Sequence, residues 1–296
     1  MQSPNKTKVL VIGATGTIGV FIVKHLLTKS NIQVNAIIRD PSKAPDLVKQ
    51  IESAGGKVHI ADLSKPETLV GVTKGIHTVV SGVSKRNGCD QVATQLNVLK
   101  DAVSNGVKRY VSASYGYEWS QVPPGELQML DEWNYVIKEI EKTGIKHIRI
   151  DTGCFIESFF LFCKDFSIWG DPNTKYTLMT YEDTAKYIAE IVSHPDVSGD
   201  FKFIANDLSP NEVAEIYNKV RGTNLKPKVV GSIEDLKAKI KDHQFKSEHL
   251  PAFIYGLLRV ISDGRGRITK SDASKFPGVK PATFEQTLKE NPNLVF

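Results

Sequence analysis

Through the first 150 positions, short apolar runs alternate with longer stretches whose apolar residues recur every three or four positions. The first run, ending at Ile12, is followed by Val20, Ile22, Val23, Leu26 and Leu27 at helical spacing. The alternation then repeats, predicting strands over 34–38, 58–60, 77–81, 109–114 and 147–150. Between them it predicts helices over 44–54, 66–72, 91–104 and 131–143. Turns bearing Gly55-Gly56, Gly75, Asn105-Gly106 and Gly144 separate several of these units. Period-2 or fully apolar runs suit strands and the 3.6-residue period suits helices, so the two types are distinguishable here.

Six strands joined by crossover segments require a parallel sheet with helices on both faces. Right-handed crossovers make this an α/β fold with a Rossmann-type doubly wound parallel sheet. Residues 1–152 therefore form the expected nucleotide-binding domain, and 153–296 a smaller α+β domain on the substrate side. A stretch of the latter, about 177–206, returns to the sheet. The second half is less regular, with an aromatic-rich segment at 153–176 and a helix at 181–193. A strand near 201–204 and a helix over 209–221 follow. Ser209-Pro210-Asn211-Glu212 supplies a helix start, with a capping serine, Pro in the first turn and Glu three residues on.

In a doubly wound sheet, ligands sit beyond the carboxyl ends of the strands, so the residues following each strand carry the chemistry. After the first strand stands Gly13-Ala14-Thr15-Gly16-Thr17-Ile18-Gly19. Glycines at this spacing allow a turn tight enough for a pyrophosphate to reach backbone N–H groups at a helix start. Gly13, Thr15, Gly16, Thr17, Ile18 and Gly19 are thus expected to hold a dinucleotide. After the second strand come Arg39 and Asp40, with Lys43 a turn away. An acid here accepts from a ribose hydroxyl, whereas cations accommodate a 2′-phosphate. Two cations favour NADP(H), with NAD(H) the alternative that Asp40 keeps open. Asp62 is placed at the adenine edge or, alternatively, as a turn cap, and Ser81, Gly82 and Val83 along the cofactor.

Ser112 and Ser114 end the fifth strand, where the nicotinamide belongs. They are candidate catalytic groups, although serines there also serve structure. Reduction needs a proton donor beside the hydride acceptor. No tyrosine here has a lysine four residues later; Tyr135 has Glu139. That excludes the Tyr/Lys pair of many short-chain dehydrogenases. The net charge of +5 is modest and its cations are interleaved with acids, as at 233–242, which argues against a nucleic-acid surface. Three cysteines without metal-ligand spacing read as free thiols in a reducing compartment, with no metal site. Met1 is followed by polar residues and then the first strand, leaving no room for a signal peptide. The apolar run 159–163 is too short to cross a bilayer. A cytoplasmic protein without membrane contact is expected.

The glycine turn with Arg39-Asp40-Pro41 resembles the NmrA-like and isoflavone reductase-like group of atypical short-chain dehydrogenases. The segments 95–102 with 106–109, 144–149 with 152–155, and 276–280 with 283–288 are similar to that group's as well. The resemblance implies an NADP-dependent reductase of small molecules or a catalytically silent nucleotide sensor acting through a protein partner. In the reductase branch it implies a catalytic lysine at the position held here by Trp133. Lys138 lies five residues on, about 500° around a helix at 100° per residue, and so faces elsewhere. Tyr115, Tyr117 and Tyr135 are the substitute donors. Tyr117, Trp133, Phe155 and Phe159 are the expected substrate-pocket residues, suited to a flat, largely apolar substrate; an ordinary core segment explains the aromatic stretch 155–169 equally well.

Overall fold

The computed structural model describes residues 6–85, 89–245 and 249–296. Two compact units are present. The first comprises Met1–Ser114, Glu132–Ile150 and Thr184–Phe201, and the second Tyr115–Asp131, Asp151–Asp183 and Lys202–Phe296. The segment Tyr115–Asp131, inside the 1–152 expected for the first domain, thus belongs to the second unit.

In chain order the elements begin with β1 (Thr7–Ile12), α1 (Gly19–Leu27), β2 (Ile32–Ile37), α2 (Pro45–Ser53) and β3 (Val58–His59). They continue with β4 (Thr78–Ser81), α3 (Gln91–Ser104), β5 (Arg109–Val111), α4 (Gln128–Lys142) and β6 (Lys146–Asp151). Then come β7 (Cys154–Phe155), α5 (Ile156–Phe162), β8 (Ser167–Trp169), β9 (Tyr176–Met179), α6 (Tyr181–Ser193) and β10 (Gly199–Lys202). The chain closes with β11 (Asn206–Leu208), α7 (Pro210–Arg221), β12 (Lys228–Gly231), α8 (Ile233–Phe245), α9 (His249–Ser262) and α10 (Phe284–Glu290).

The first unit is built on a seven-stranded sheet in the order β10-β6-β5-β4-β1-β2-β3. The pairs from β3 through β6 are parallel. Val9 to Ile12 and all of β4 are buried, as strands covered on both faces require. The chain winds from β1 outwards to β3, then crosses back to β4 on the other side of β1. This reversal opens a crevice at the carboxyl ends of β1 and β4, where Ile12 pairs with Ser81.

Two expected elements differ. The helix over 66–72 is a 3-10 turn, Pro66–Leu69, because the Thr68 N–H and hydroxyl both return to Lys65 O and Gly71 adopts φ 77°. The strand over 109–114 stops at Val111, since the Ala113 N–H donates to the Gln95 side chain instead of a neighbouring strand.

At the amino end of β5, Arg109 is fully buried. Its guanidinium donates to Thr78 Oγ1 (3.1 Å) and to the carbonyls of Val192, His194 and Val197 (2.7–2.9 Å). These groups include carbonyls at the end of α6, which otherwise lack helical partners.

The second unit holds a three-stranded sheet, β11-β9-β7, and a two-stranded one, β12-β8. Its core is aromatic: Phe159, Phe160, Phe166, Tyr217 and Phe296 meet at ring-centroid distances of 4.2–6.4 Å. The Ser209 start of α7 forms a reciprocal capping box with Glu212.

Candidate functional site

The glycine turn packs backbone directly on backbone. Gly13 has φ 71°, and a Cβ there would lie 2.8 Å from Gly82 C and Val83 N. A Cβ on Gly19 would lie 2.0 Å from Gly13 O, and one on Gly82 would lie 3.1 Å from Gly19 Cα. The Gly82 N–H donates to Ile12 O at 2.8 Å and that of Gly16 to Gly13 O at 2.9 Å. Any side chain at Gly13 or Gly19 would push β4 or α1 away. Ile18 caps α1 without a side-chain hydrogen bond, and no acid sits in the first helical turn. A helix start left uncapped beside a glycine cradle suits an anion, because its N–H groups and dipole point there. Thr15 and Thr17 are exposed on the same turn.

At the end of β2, Arg39 and Lys43 are exposed. Lys43 Nζ is 3.6 Å from Asp40 Oδ2. Asp40 Oδ1 accepts from the Ser42 N–H and hydroxyl, which with Lys43 hold its carboxyl below the usual range. Asp62 is held the same way by Ser64, so it caps its own turn, and the charge of Arg39 lowers its carboxyl further. Ser81 is buried at the crevice, beside Gly82 and Val83.

Ser112 and Ser114 are each 2% exposed. Their hydroxyls lie 2.9 Å apart, and Ser112 Oγ is 2.9 Å from His147 Nε2. Burial lowers the His147 imidazole to about 4, Arg149 lowering it further and Asp200 opposing, so the ring is neutral near pH 7. On α4, the Trp133 indole N–H donates to Gln91 Oε1 at 3.2 Å. The Gln91 amide donates in turn to Val83 O (3.2 Å) and Ala113 O (2.9 Å), tying the ends of β4 and β5 together. Lys85 forms an ion pair with Glu132, next to Trp133. Tyr135 is 49% exposed. Gln91, Gln95 and His147 were not singled out from sequence. Two glutamines four apart on the buried face of α3 were the available signal.

In the second unit, Tyr115 is buried. Tyr117 is also buried, edge-on to Trp119 at 5.0 Å, and burial lifts its phenol far above the usual range. Phe159 is 1% exposed, enclosed by the aromatic core, and so has no face left for a ligand. Phe155 is half-buried, its ring 4.2 Å from that of Tyr181. Beside it, the Glu157 carboxylate accepts from the Tyr181 N–H (3.1 Å) and burial raises it to about 7. The three cysteines are free thiols. Among the described residues, no helix is long and apolar enough to cross a membrane, and no cluster of acids, histidines and cysteines is placed to hold a metal ion.

A sequence model of the NmrA-like family matches residues 5–285. The bifunctional pinoresinol-lariciresinol reductase of Forsythia intermedia is 28% identical, spanning 96% of this chain and 98% of its own. Among solved structures, leucoanthocyanidin reductase from Vitis vinifera, in a binary complex with NADPH, has a TM-score of 0.78 at 22% identity. That similarity covers 96% of this chain and 98% of the other. The triphenylmethane reductase of Citrobacter sp., complexed with NADP(H), has a TM-score of 0.73 at 21% identity, covering 95% and 99%. These two likenesses concern the fold. Taken with the family match over nearly the whole length, the reversal of strand order around a glycine cradle has one reading: this chain belongs to the NmrA-like family.

Proposed function

We propose that this chain is an NADP(H)-dependent reductase of a small aromatic or unsaturated organic substrate. The observation that carries the cofactor is the cradle of Gly13, Gly19 and Gly82, which a single Cβ would fill. Gly13, Thr15, Gly16, Thr17, Ile18 and Gly19 hold the pyrophosphate, Arg39 and Lys43 receive the 2′-phosphate, and Asp62, Ser81, Gly82 and Val83 border the nucleotide. Relatives whose names include pinoresinol-lariciresinol reductase and triphenylmethane reductase, the latter with NADP(H), support both cofactor and acceptor class. Bound NADPH supplies the hydride.

The proton comes from the protein. Of the candidates Ser112, Ser114, Tyr115 and Tyr135, we assign the donor to Ser114. Ser112 replaces its proton, and His147 Nε2 replaces that of Ser112. The half-buried neutral ring regains one from water at its other nitrogen, so that solvent is the ultimate proton source and His147 acts as a positioning residue. Of the substrate-pocket candidates there remain Trp133 in the first unit and Tyr117 and Phe155 in the second. A second reading, a silent NADP(H) sensor acting through a protein partner, is favoured by Trp133. Its indole is bonded to Gln91 where the family resemblance puts a lysine.

The test is NADPH consumption over a panel of aromatic aldehydes, enones and quinones, run beside NADPH and NADH binding. Turnover that falls about a hundredfold in Ser114→Ala with unchanged NADPH affinity supports the reductase. Tight NADPH binding without turnover of any acceptor overturns it in favour of the sensor.

A further inference from the structure

The acids after β2 and β3 are restrained by one repeated device. Asp40-Pro41-Ser42 follows β2, and Asp62-Leu63-Ser64 follows β3. In each, Oδ1 accepts both the N–H and the hydroxyl of the serine two residues on. The distances are 3.2 and 2.6 Å at Asp40, and 3.0 and 2.8 Å at Asp62. The second oxygen of Asp40 faces Lys43 at 3.6 Å. Arg39, immediately before the first turn, is exposed and forms no ion pair among the described residues, although its charge reaches Asp62.

A carboxylate that is free to turn at this point accepts from the ribose hydroxyls and repels a 2′-phosphate, whereas an arginine does the reverse. This chain carries both side by side. The outcome depends on whether the Asp40 carboxylate can leave its turn. We propose that Ser42 sets the choice of nucleotide: its hydroxyl holds Asp40 away from the ribose and leaves Arg39 to receive the 2′-phosphate. Ser64 restrains Asp62 in the same way. Ser42 acts through Asp40 and is a positioning residue, and the inference rests on the NADP(H) reading above.

The experiment is a titration of the full chain with NADPH and NADH, followed by nicotinamide fluorescence. The wild type is expected to bind NADPH at least about tenfold tighter than NADH. Ser42→Ala is expected to tighten NADH about fivefold and weaken NADPH about twofold, since an acid released from its turn acts oppositely on the two. Ser42→Thr keeps the hydroxyl and restores the wild-type ratio. The double variant Ser42→Ala/Asp40→Ala loses the NADH gain, which a merely structural effect of Ser42 would not do. The turn is exposed, so circular dichroism and the thermal midpoint are expected to stay at wild-type values. An unchanged ratio in Ser42→Ala or an NADH gain that survives removal of Asp40 overturns the inference alone. A wild type that prefers NADH, or that binds neither nucleotide, overturns the NADP(H) reading itself.

Discussion

At the carboxyl ends of β1 and β4, three backbones meet with no side chain between them, whereas at the amino end of β5 a single side chain fills the space. Gly13, Gly19 and Gly82 owe their contact to what they lack; a Cβ on Gly19 would lie 2.0 Å from a carbonyl oxygen. Arg109 does the opposite and satisfies four acceptors from the interior. One end of the same sheet is packed backbone on backbone, which suits the proposed nucleotide, and the other is closed by a side chain. Conserving the shape of the first needs no particular side-chain chemistry, while the second depends on a guanidinium fork whose donors match carbonyls at fixed positions.

The two ends should therefore fail differently. Arg109→Ala removes the guanidinium from the buried Val192 carbonyl, the part-buried His194 and Val197 carbonyls and Thr78 Oγ1, and it should cost about 4 kcal/mol in chemical denaturation. NADPH affinity well below the unfolding midpoint should stay within about twofold of wild type. A large loss of affinity there would mean that the two ends are not independent. Gly19→Ala should cost somewhat less stability, about 3 kcal/mol, because α1 can shift to relieve part of the overlap. It should nonetheless abolish detectable NADPH binding. Retained binding in Gly19→Ala would break the comparison at its other end.

These two ends were not equally legible in the sequence. The glycine turn is local: strand, three glycines and helix lie within twenty residues, so the spacing carries the geometry. Arg109 looks like one of a Lys108-Arg109 surface pair, and its carbonyl partners lie 83 to 88 residues later, beyond the reach of any periodicity. The same distance rule explains the rest. The capping box at Ser209 and the helix 181–193 were readable because their determinants are adjacent. The early end of β5 was not, since it is set by Gln95 reaching across from α3. Phe159 read as a pocket residue because an aromatic run has no period to separate a cleft from a core; its partners Phe166 and Phe296 decide that. Asp40 was legible as a residue but not as a restrained one, although the serine that holds it is only two positions away.

Between the two ends lies a titratable link, His147, paired in register with Tyr110 and bonded through Ser112 to Ser114. Its folded imidazole is lowered to about 4 from an ordinary 6.5, with burial the first cause. A base depressed in the folded state favours folding above its unfolded value, and that contribution disappears as pH falls towards the folded value. Stability from this ring should be fully present above about pH 6.5 and lost between there and pH 4. The full shift would correspond to about 3 kcal/mol, and partial solvent access reduces the expected loss to about 2 kcal/mol. Denaturation of wild type and His147→Asn across pH 4 to 7 isolates it, because Asp200 and Arg149, the charged groups acting on the ring, are common to both. The variant should show the flatter acid limb, and NMR titration of the His147 ring should find no midpoint near 6.5. If the two acid limbs run parallel, the ring is solvated. The carboxyl end of β5 is then open to water, and its serines are held by solvent rather than by a closed hydrogen-bond chain.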